Sequence, residues 1–165
     1  MSKIYEVSKI KVAFVCIGNA CRSPMAEGFA RAHGAGTLDA QSAGLAPALA
    51  VVPLTHHVML EKNIDLGDYY PKPLEQLDGP FDLIVNMSGH DLPIRAVGPV
   101  EVWDISDPIG ESEAVFRQVR DEIEQRVLEL IARLRSRKPA ASEALPAPAQ
   151  PAAAQVDTRR RPTRQ

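Results

Sequence analysis

Residues 10–23 read IKVAFVCIGNACRS, and this stretch decides the fold. Residues 10–16 form a short β-branched and aromatic run, which predicts a buried strand. A loop containing Gly18 follows, and Pro24 after Ser23 is typical of a helix start, with Ser23 as the predicted N-cap. A buried strand, a tight loop and a helix favour a parallel α/β sheet, where ligands bind beyond the carboxyl ends of the strands.

The rest of the chain alternates predicted strands and helices. We expect the first helix to end near Gly34. Further predicted elements are a strand at 37–42, a helix at 53–62 with Asn63 as its left-handed end, a strand at 81–87 and a shorter one at 100–103. Apolar residues recur at helical spacing from Val115 to Leu134, which predicts a long final helix with one buried face. This order predicts a parallel sheet covered on both faces.

Composition separates a domain from a tail. The chain has 165 residues, 45% of them hydrophobic and 24% charged, with a net charge of −2, which is typical of one ordinary soluble domain. This profile excludes collagen-like, fully disordered and strongly basic nucleic-acid-binding classes. Residues 138–165 contain five prolines and eight alanines and carry +3, so we predict a disordered Ala/Pro-rich basic tail. The domain, residues 1–137, then carries −5.

Membrane and metal sites are not expected. The longest apolar run, residues 12–17, is far shorter than the ~20 residues of a membrane span, and MSKIYEVSKI lacks a signal-peptide core. We therefore expect a cytoplasmic protein with no membrane partner and no nucleic-acid partner. The two cysteines, Cys16 and Cys21, are too few for a disulfide scaffold and lack further zinc ligands at close spacing.

Residues 16–23, CIGNACRS, predict an oxyanion site with a nucleophile. The loop amides and the helix dipole supply positive partial charge, and Arg22 can bind two ligand oxygens. Cys16 lies in this field, which favours its thiolate, and Ser23 can donate a hydrogen bond to the sulfur. The cysteine-to-arginine spacing alone is common, but a strand before it and a helix after it favour catalysis. The predicted oxyanion loop comprises Ile17, Gly18, Asn19, Ala20 and Cys21.

A second group is needed to protonate the oxygen that leaves when Cys16 attacks a phosphoryl group. Asp107, in WDISDPIG, is the candidate, because Pro108 disfavours helical geometry and places Asp107 in a loop after the 100–103 strand. An Asp-Pro pair is also a common turn, so this segment by itself leaves both interpretations open.

Four segments now carry a specific resemblance: VCIGNACRSPMAEGFAR, QSAG, FDLIVNM and DPIGESEAVFRQVRDEIEQRV. They resemble the low-molecular-weight protein tyrosine phosphatases, whose fold is shared with thiol-dependent arsenate reductases, over about residues 9–135. The resemblance implies a three-layer α/β fold, a four-stranded parallel sheet with helices on both faces, and no metal or organic cofactor.

The resemblance also implies roles for individual residues. Cys16 would be the nucleophile, Arg22 would bind phosphate and stabilise the transition state, and Asp107 would act as acid and then base. Asn19, Ser23 and Ser42 match positions that shape the loop and tune the thiolate. The predicted function is phosphomonoester hydrolysis of the protein tyrosine phosphatase type, through a phosphocysteine. The substrate stays open among phosphotyrosine or phosphoarginine proteins, a small phosphate ester and arsenate.

Some residues depart from the phosphatase pattern. Ile109 and Gly110 follow the Asp-Pro pair, where these phosphatases usually have aromatic residues that line the substrate slot. Ala20 stands where a larger residue often shapes the pocket. Tyr69 and Tyr70 could supply the missing aromatic wall or could simply pack against the domain.

An arsenate reductase is the alternative, because arsenate closely copies phosphate and Cys16 could attack its arsenic. Relatives coupled to thioredoxin carry two further cysteines just after the segment that matches FDLIVNM, whereas residues 87–91 contain none. This alternative therefore takes its electrons from a small external thiol, with thioredoxin as another possible reductant. A non-catalytic phosphate-binding module is a third hypothesis, although binding alone needs neither Cys16 nor Asp107.

Cys21 has two open interpretations. It could capture a sulfenic acid on Cys16 as a disulfide, as the resemblance also implies, or it could be a small loop residue. His56 and His57, on the helix predicted at 53–62, are interpreted as ordinary helix residues rather than as metal ligands.

Overall fold

Strand β1 (Ile10–Cys16) lies inside a four-stranded parallel sheet of order β2-β1-β3-β4 in the computed structural model, which describes residues 8–93, 96 and 98–137. The other strands are β2 (Leu38–Gly44), β3 (Leu83–Asn86) and β4 (Val100–Val102). The helices are α1 (Arg22–His33), α2 (Pro53–Leu60) and α3 (Glu113–Arg137), with a single 3-10 turn at Leu74–Gln76. The predicted four-stranded parallel sheet with helices is confirmed.

The two faces of the sheet have different coverings. Side chains alternate along a strand, so Val12 and Phe14 of β1 point to one face, where α1, α2 and α3 pack. Ala13 and Val15 point to the other face and meet Ile84. The 3-10 turn and apolar side chains from loops cover that second face. In the described part of the chain, the third layer therefore consists of this turn and of loops rather than of an α-helix.

Helix α3 presents the predicted apolar stripe to the core. Phe116, Val119, Ile123, Val127 and Leu130 are all buried at three- or four-residue spacing. Each such side chain contributes roughly 1.5–3 kcal/mol of burial free energy. The stripe therefore holds α3 against α1 and the sheet.

Element boundaries differ from the sequence-based expectations by a few residues. Helix α1 begins at Arg22 and not after Ser23, so the prediction that Ser23 is the N-cap is wrong. Asn63 has a φ of 59°, as expected for a left-handed end, although α2 itself ends at Leu60. The predicted tail, residues 138–165, lies outside the described residues. None of the described helices combines the length and apolar character that a membrane crossing requires.

An ionic cluster joins the end of α2 to α3. Arg117 Nε donates to Glu61 Oε1 at 2.9 Å, and Arg120 Nη1 donates to the same oxygen at 2.7 Å. Arg120 also donates to the Val58 carbonyl at 2.9 Å. The hydrogen bonds from Arg117, supported by those from Arg120, lower the pKa of Glu61 from 4.5 to about 2.

We expect this cluster to contribute acid sensitivity. Because the folded-state pKa of Glu61 is lowered, its stabilising effect is fully present above pH 4.5 and is lost as the pH falls through about 2. Glu61→Gln should therefore flatten the rise of the unfolding free energy between those pH values, measured by urea denaturation in low salt. Glu111→Gln, an exposed carboxylate outside the cluster, is the control, and equal pH slopes in all three proteins would contradict this account.

Candidate active site

The loop of residues 17–21 joins β1 to α1 at the carboxyl edge of the sheet. Met87 follows β3, and Asp107 lies in the loop that follows β4, so chain segments from three strands meet at this edge. Asn19 takes the left-handed conformation with a φ of 51°, as its residue type permits. The residues predicted for the site therefore lie beyond the carboxyl ends of the strands.

The segment of residues 45–52 fixes the direction of the loop's peptide groups. Its amides donate to successive loop carbonyls: Leu45 to Cys16 at 3.1 Å, Ala46 to Ile17 at 2.8 Å, Ala48 to Gly18 at 2.9 Å and Val52 to Ala20 at 3.1 Å. Thr55 Oγ1 adds a second bond to the Ala20 carbonyl at 3.0 Å. With the carbonyls held on one side, the amide N–H groups of residues 17–21 have no acceptor in the described part of the chain. Such free, clustered amides can bind an anion.

Asn19 ties the loop to three other segments. Its Nδ2 donates to Ser23 Oγ at 2.8 Å and to Ser42 Oγ at 3.0 Å, and its Oδ1 accepts from the Lys72 amide at 3.0 Å. Asn19, Ser23 and Ser42 are all buried. The structure thus brings together the three residues that the sequence singled out for shaping the loop.

Ser23 lies beside the candidate nucleophile. The distance from Cys16 Sγ to Ser23 Oγ is 2.9 Å. Asn19 donates to Ser23 Oγ, so the hydroxyl proton can point to the sulfur or to the Ala43 carbonyl, which lies farther away, at 3.4 Å. A hydrogen bond of this kind stabilises the charged form of a thiol more than the neutral form.

Backbone carbonyls hold Arg22 through its Nη1 atom and leave its Nε unpaired among the described residues. Its Nη1 donates to the carbonyls of Met87 at 2.5 Å and Ile105 at 3.0 Å, and its Nη2 lies 3.3 Å from Asp107 Oδ2. Its Nε is buried and has no partner among the described residues. A buried unsatisfied donor costs about 1–3 kcal/mol, which a bound oxyanion would recover.

Asp107 reaches the same cleft from the loop after β4, as predicted. Its Oδ1 accepts from the Ile109 amide at 3.2 Å, and its other oxygen faces Arg22. The cleft is lined by Cys16, Gly18, Ala20, Cys21, Arg22, Asp107 and Ile109. The three residues that the sequence predicts to be catalytic, Cys16, Arg22 and Asp107, therefore line one cleft.

The aromatic side chains lie elsewhere. Tyr69 and Tyr70 line a separate pocket together with Glu27, Arg31 and Lys72. The Arg31 guanidinium lies 5.5 Å from the centre of the Tyr69 ring, and burial raises the pKa of Tyr69. Tyr69 packs against the core whereas Tyr70 is exposed, and the described residues that line the Cys16 cleft include no aromatic ring.

Cys21 is buried next to the nucleophile. Burial raises the pKa of Cys21 from 9.0 to about 11, so its sulfur is a neutral thiol at physiological pH. Because the thiolate and not the thiol is the reactive form, Cys21 is poorly suited to nucleophilic attack.

His57 has acidic neighbours that its helix position did not predict, because one of them comes from α3. His57 Nε2 lies 2.9 Å from Glu113 Oε1, and the ligand atoms of His57, Glu61 and Glu113 lie within 4.8 Å of one another. Arg117 and Arg120 bind Glu61, so its carboxylate is already neutralised. The set is better explained as an ion-pair cluster than as a metal site.

Gly44 and Thr55 are site residues that sequence reasoning missed. A Cβ on Gly44 would lie 2.6 Å from the Ile17 carbonyl oxygen and 2.8 Å from the Asn19 amide nitrogen. A glycine at the end of β2, in the QSAG motif, was the available signal. Thr55 gave none, because its bond to Ala20 spans 35 residues.

Gly44→Ala should displace the loop. We expect inorganic phosphate to bind at least tenfold more weakly, because a side chain cannot fit between β2 and the loop backbone, and calorimetric titration measures this. Gly36→Ala is the matched control, since a Cβ there meets no atom within 4 Å. Unchanged phosphate affinity in a folded Gly44→Ala protein would contradict the tight approach.

The chain is similar to known proteins over about three quarters of its length. The family model of low molecular weight phosphotyrosine protein phosphatase matches residues 11–140. The chain is 39% identical over 129 residues to the glutaredoxin arsenate reductase of Synechocystis sp., which covers 75% of this chain and 98% of that relative.

Solved structures of an arsenate reductase and of a phosphatase have a similar fold. An arsenate reductase in the phosphate binding state has a TM-score of 0.69 and 36% identity, covering 76% of this chain and 98% of the other. A low molecular weight protein tyrosine phosphatase from T. tengcongensis has a TM-score of 0.63 and 27% identity, covering 76% and 99%.

Proposed function

The chain belongs to the low molecular weight phosphotyrosine protein phosphatase family, and we propose that, within this family, it reduces arsenate with electrons from external thiols. The Nε of Arg22, unpaired among the described residues, carries the proposal, because Arg22 lines the same cleft as Cys16 and offers a buried donor to a small oxyanion. Relatives named arsenate reductases support it. Tyrosine phosphatase chemistry, the main expectation from sequence, becomes the second candidate.

The walls of the cleft favour a small substrate. Ala20 and Ile109 line the cleft with a small and an aliphatic side chain, and Tyr69 and Tyr70 line another pocket. Arsenate carries no ring, so it needs no aromatic side chain among the described residues that line the cleft. The loop amides and Arg22 recognise the tetrahedral oxygens that arsenate and phosphate share.

In the first step, the Cys16 thiolate attacks arsenic. An S–As bond forms and an As–O bond breaks, while the Asp107 carboxyl group donates a proton so that the oxygen leaves as water. Arg22 and the loop amides hold the remaining oxygens through the step. Ser23, at 2.9 Å from the sulfur, stabilises the thiolate before attack.

In the second step, electrons come from outside the chain. A thiolate attacks Cys16 Sγ, the S–As bond breaks, and its electron pair stays on arsenic, which leaves as arsenite. A second thiol then releases Cys16 and forms a disulfide, so that arsenate and two thiols give arsenite, one disulfide and water. Residues 87–91 contain no cysteine, and Cys21 is a buried neutral thiol, so an external source fits this chain.

Aryl phosphate hydrolysis is the second candidate, and the position of Asp107 favours it. Its carboxyl group lies in the cleft with Cys16 and Arg22, where it could protonate a leaving phenolate and then activate water against a phosphocysteine.

A side-by-side assay separates the two activities. We expect arsenate-dependent oxidation of glutathione or mycothiol to exceed hydrolysis of an aryl phosphate, and Cys16→Ser to abolish both. Cys21→Ser is the matched control and should lose far less, because Cys21 is protonated and buried. Aryl phosphate turnover without arsenate-dependent thiol oxidation would assign the phosphatase activity instead. Normal turnover by folded Cys16→Ser would remove both candidates.

Asp107→Asn should slow the first step by a factor of about 10² to 10⁴, because the amide cannot donate an acidic proton to the leaving oxygen. The asparagine oxygen still accepts from the Ile109 amide, so the loop geometry is kept. Rapid-quench measurement of the Cys16 adduct checks this, and a rate within threefold of the parent's would exclude Asp107 as the acid.

A further inference from the structure

Two buried polar side chains at the end of β3 have no part in the proposed chemistry. Asn86, the last residue of β3, and Ser88 are each 4% exposed. Neither is among the described residues that line the Cys16 cleft. A buried polar group is costly unless it is hydrogen-bonded, so the partners of these side chains indicate what they hold in place.

The two side chains form one hydrogen-bonded turn over residues 86–90. Asn86 Oδ1 accepts from the Ser88 amide at 3.0 Å, and Ser88 Oγ lies 2.6 Å from the same oxygen. Asn86 Nδ2 donates to the His90 carbonyl at 2.7 Å, and the His90 amide donates to Ser88 Oγ at 3.1 Å. An Asn side chain that accepts from the amide two residues later forms an Asx turn. The turn therefore fixes the peptide group between Met87 and Ser88.

That peptide group carries a carbonyl that holds Arg22. The Met87–Ser88 peptide is trans, so its N–H and C=O bonds point in opposite directions. Because Asn86 Oδ1 holds the Ser88 N–H on one side, the Met87 carbonyl points to the other side. There it accepts from Arg22 Nη1 at 2.5 Å. The preceding peptide group is fixed as well, since the Met87 amide donates to the Val15 carbonyl at 2.7 Å.

The direction of the Met87 carbonyl matters for anion binding because it sets the orientation of the guanidinium. Arg22 Nη1 donates to two carbonyls, those of Met87 and Ile105, and Nη2 lies 3.3 Å from Asp107 Oδ2. If the Met87 carbonyl turned away, Nη1 would keep a single carbonyl partner and the guanidinium could rotate towards Asp107. An oxyanion is bound well only by a guanidinium whose planar set of donors is already aimed at its oxygens.

We infer that Asn86 is a positioning residue for Arg22, acting through the Ser88 amide and the Met87 carbonyl. Its side chain fixes the peptide group that holds the guanidinium and does not itself line the cleft. This inference rests on the proposed function for the binding of an oxyanion by Arg22, and it names a residue outside the cleft that sets the oxyanion affinity.

A matched pair of substitutions isolates the acceptor at residue 86. Thr and Val have nearly the same shape and both suit a strand, but only Thr carries an oxygen that can accept from the Ser88 amide. Both lose the bond to the His90 carbonyl. We expect full-length Asn86→Val to bind inorganic phosphate at least tenfold more weakly than the parent. Asn86→Thr should stay within threefold of the parent, and calorimetric titration measures both affinities.

Ile123→Val is the control for lost stability, because Ile123 is buried on α3 and is not among the described residues that line the cleft. It should lower the melting temperature without changing the phosphate affinity. All titrations are made at a temperature at which circular dichroism shows each protein to be folded. If Asn86→Val does not fold, Asn86→Ala and Asn86→Ser make the same comparison with smaller side chains.

The ratio of the two affinities decides the outcome. A difference of less than threefold between the Thr and Val proteins would overturn the positioning role, because the fold rather than the acceptor would then account for any common loss. A parent that binds phosphate but reduces no arsenate would overturn the proposed function and leave the role of Asn86 in anion binding intact. A parent that binds no phosphate would overturn both.

Discussion

The site depends on the hydrogen bonds that residues 45–52 donate to the carbonyls of residues 16–20. They hold the loop's carbonyl oxygens on one side, which leaves the amide N–H groups for an anion. Gly44 permits this close approach, because a side chain there would collide with the loop backbone. Asn19 then fixes the loop to α1 and β2 through Ser23 and Ser42. The buried strand β1 ends at Cys16 and so fixes the position of Cys16 at the start of this loop.

The charge distribution follows from the same frame. Arg22 is buried in a domain of net charge −5, and backbone carbonyls of Met87 and Ile105 hold its Nη1 while its Nε stays free. Carbonyls orient the guanidinium without cancelling its charge, as a second carboxylate beside Asp107 would. A buried guanidinium with an unpaired donor attracts an anion into the cleft. Cys16 lines the same cleft, so a bound anion would lie close to the proposed nucleophile.

The sequence predicted those structural features that depend on residues close together in the chain. The buried run 10–16, the left-handed Asn63, the α3 stripe and the cleft residues Cys16, Arg22 and Asp107 all come from contiguous motifs. Of the two roles predicted for Ser23, the N-cap is wrong, because α1 begins at Arg22, whereas its hydroxyl does lie 2.9 Å from the Cys16 sulfur. Long-range contacts escaped prediction: Thr55 on the Ala20 carbonyl and the Met87 carbonyl on Arg22 join residues 35 and 65 positions apart. The sequence favoured phosphatase chemistry because of the loop motif. That motif does not separate the two activities, because an arsenate reductase has a similar fold.

A crystal structure of the Cys16→Ser protein with arsenate would show whether Arg22 Nε and the amides of residues 17–21 bind the oxyanion, because the variant can bind the anion without reacting. The account predicts arsenic in line with the residue-16 oxygen, one arsenate oxygen about 2.7–3.2 Å from Arg22 Nε, and others within the same range of the amides of residues 17–21. Arsenate bound elsewhere, or bound in the cleft with Arg22 Nε still unpaired, would contradict it.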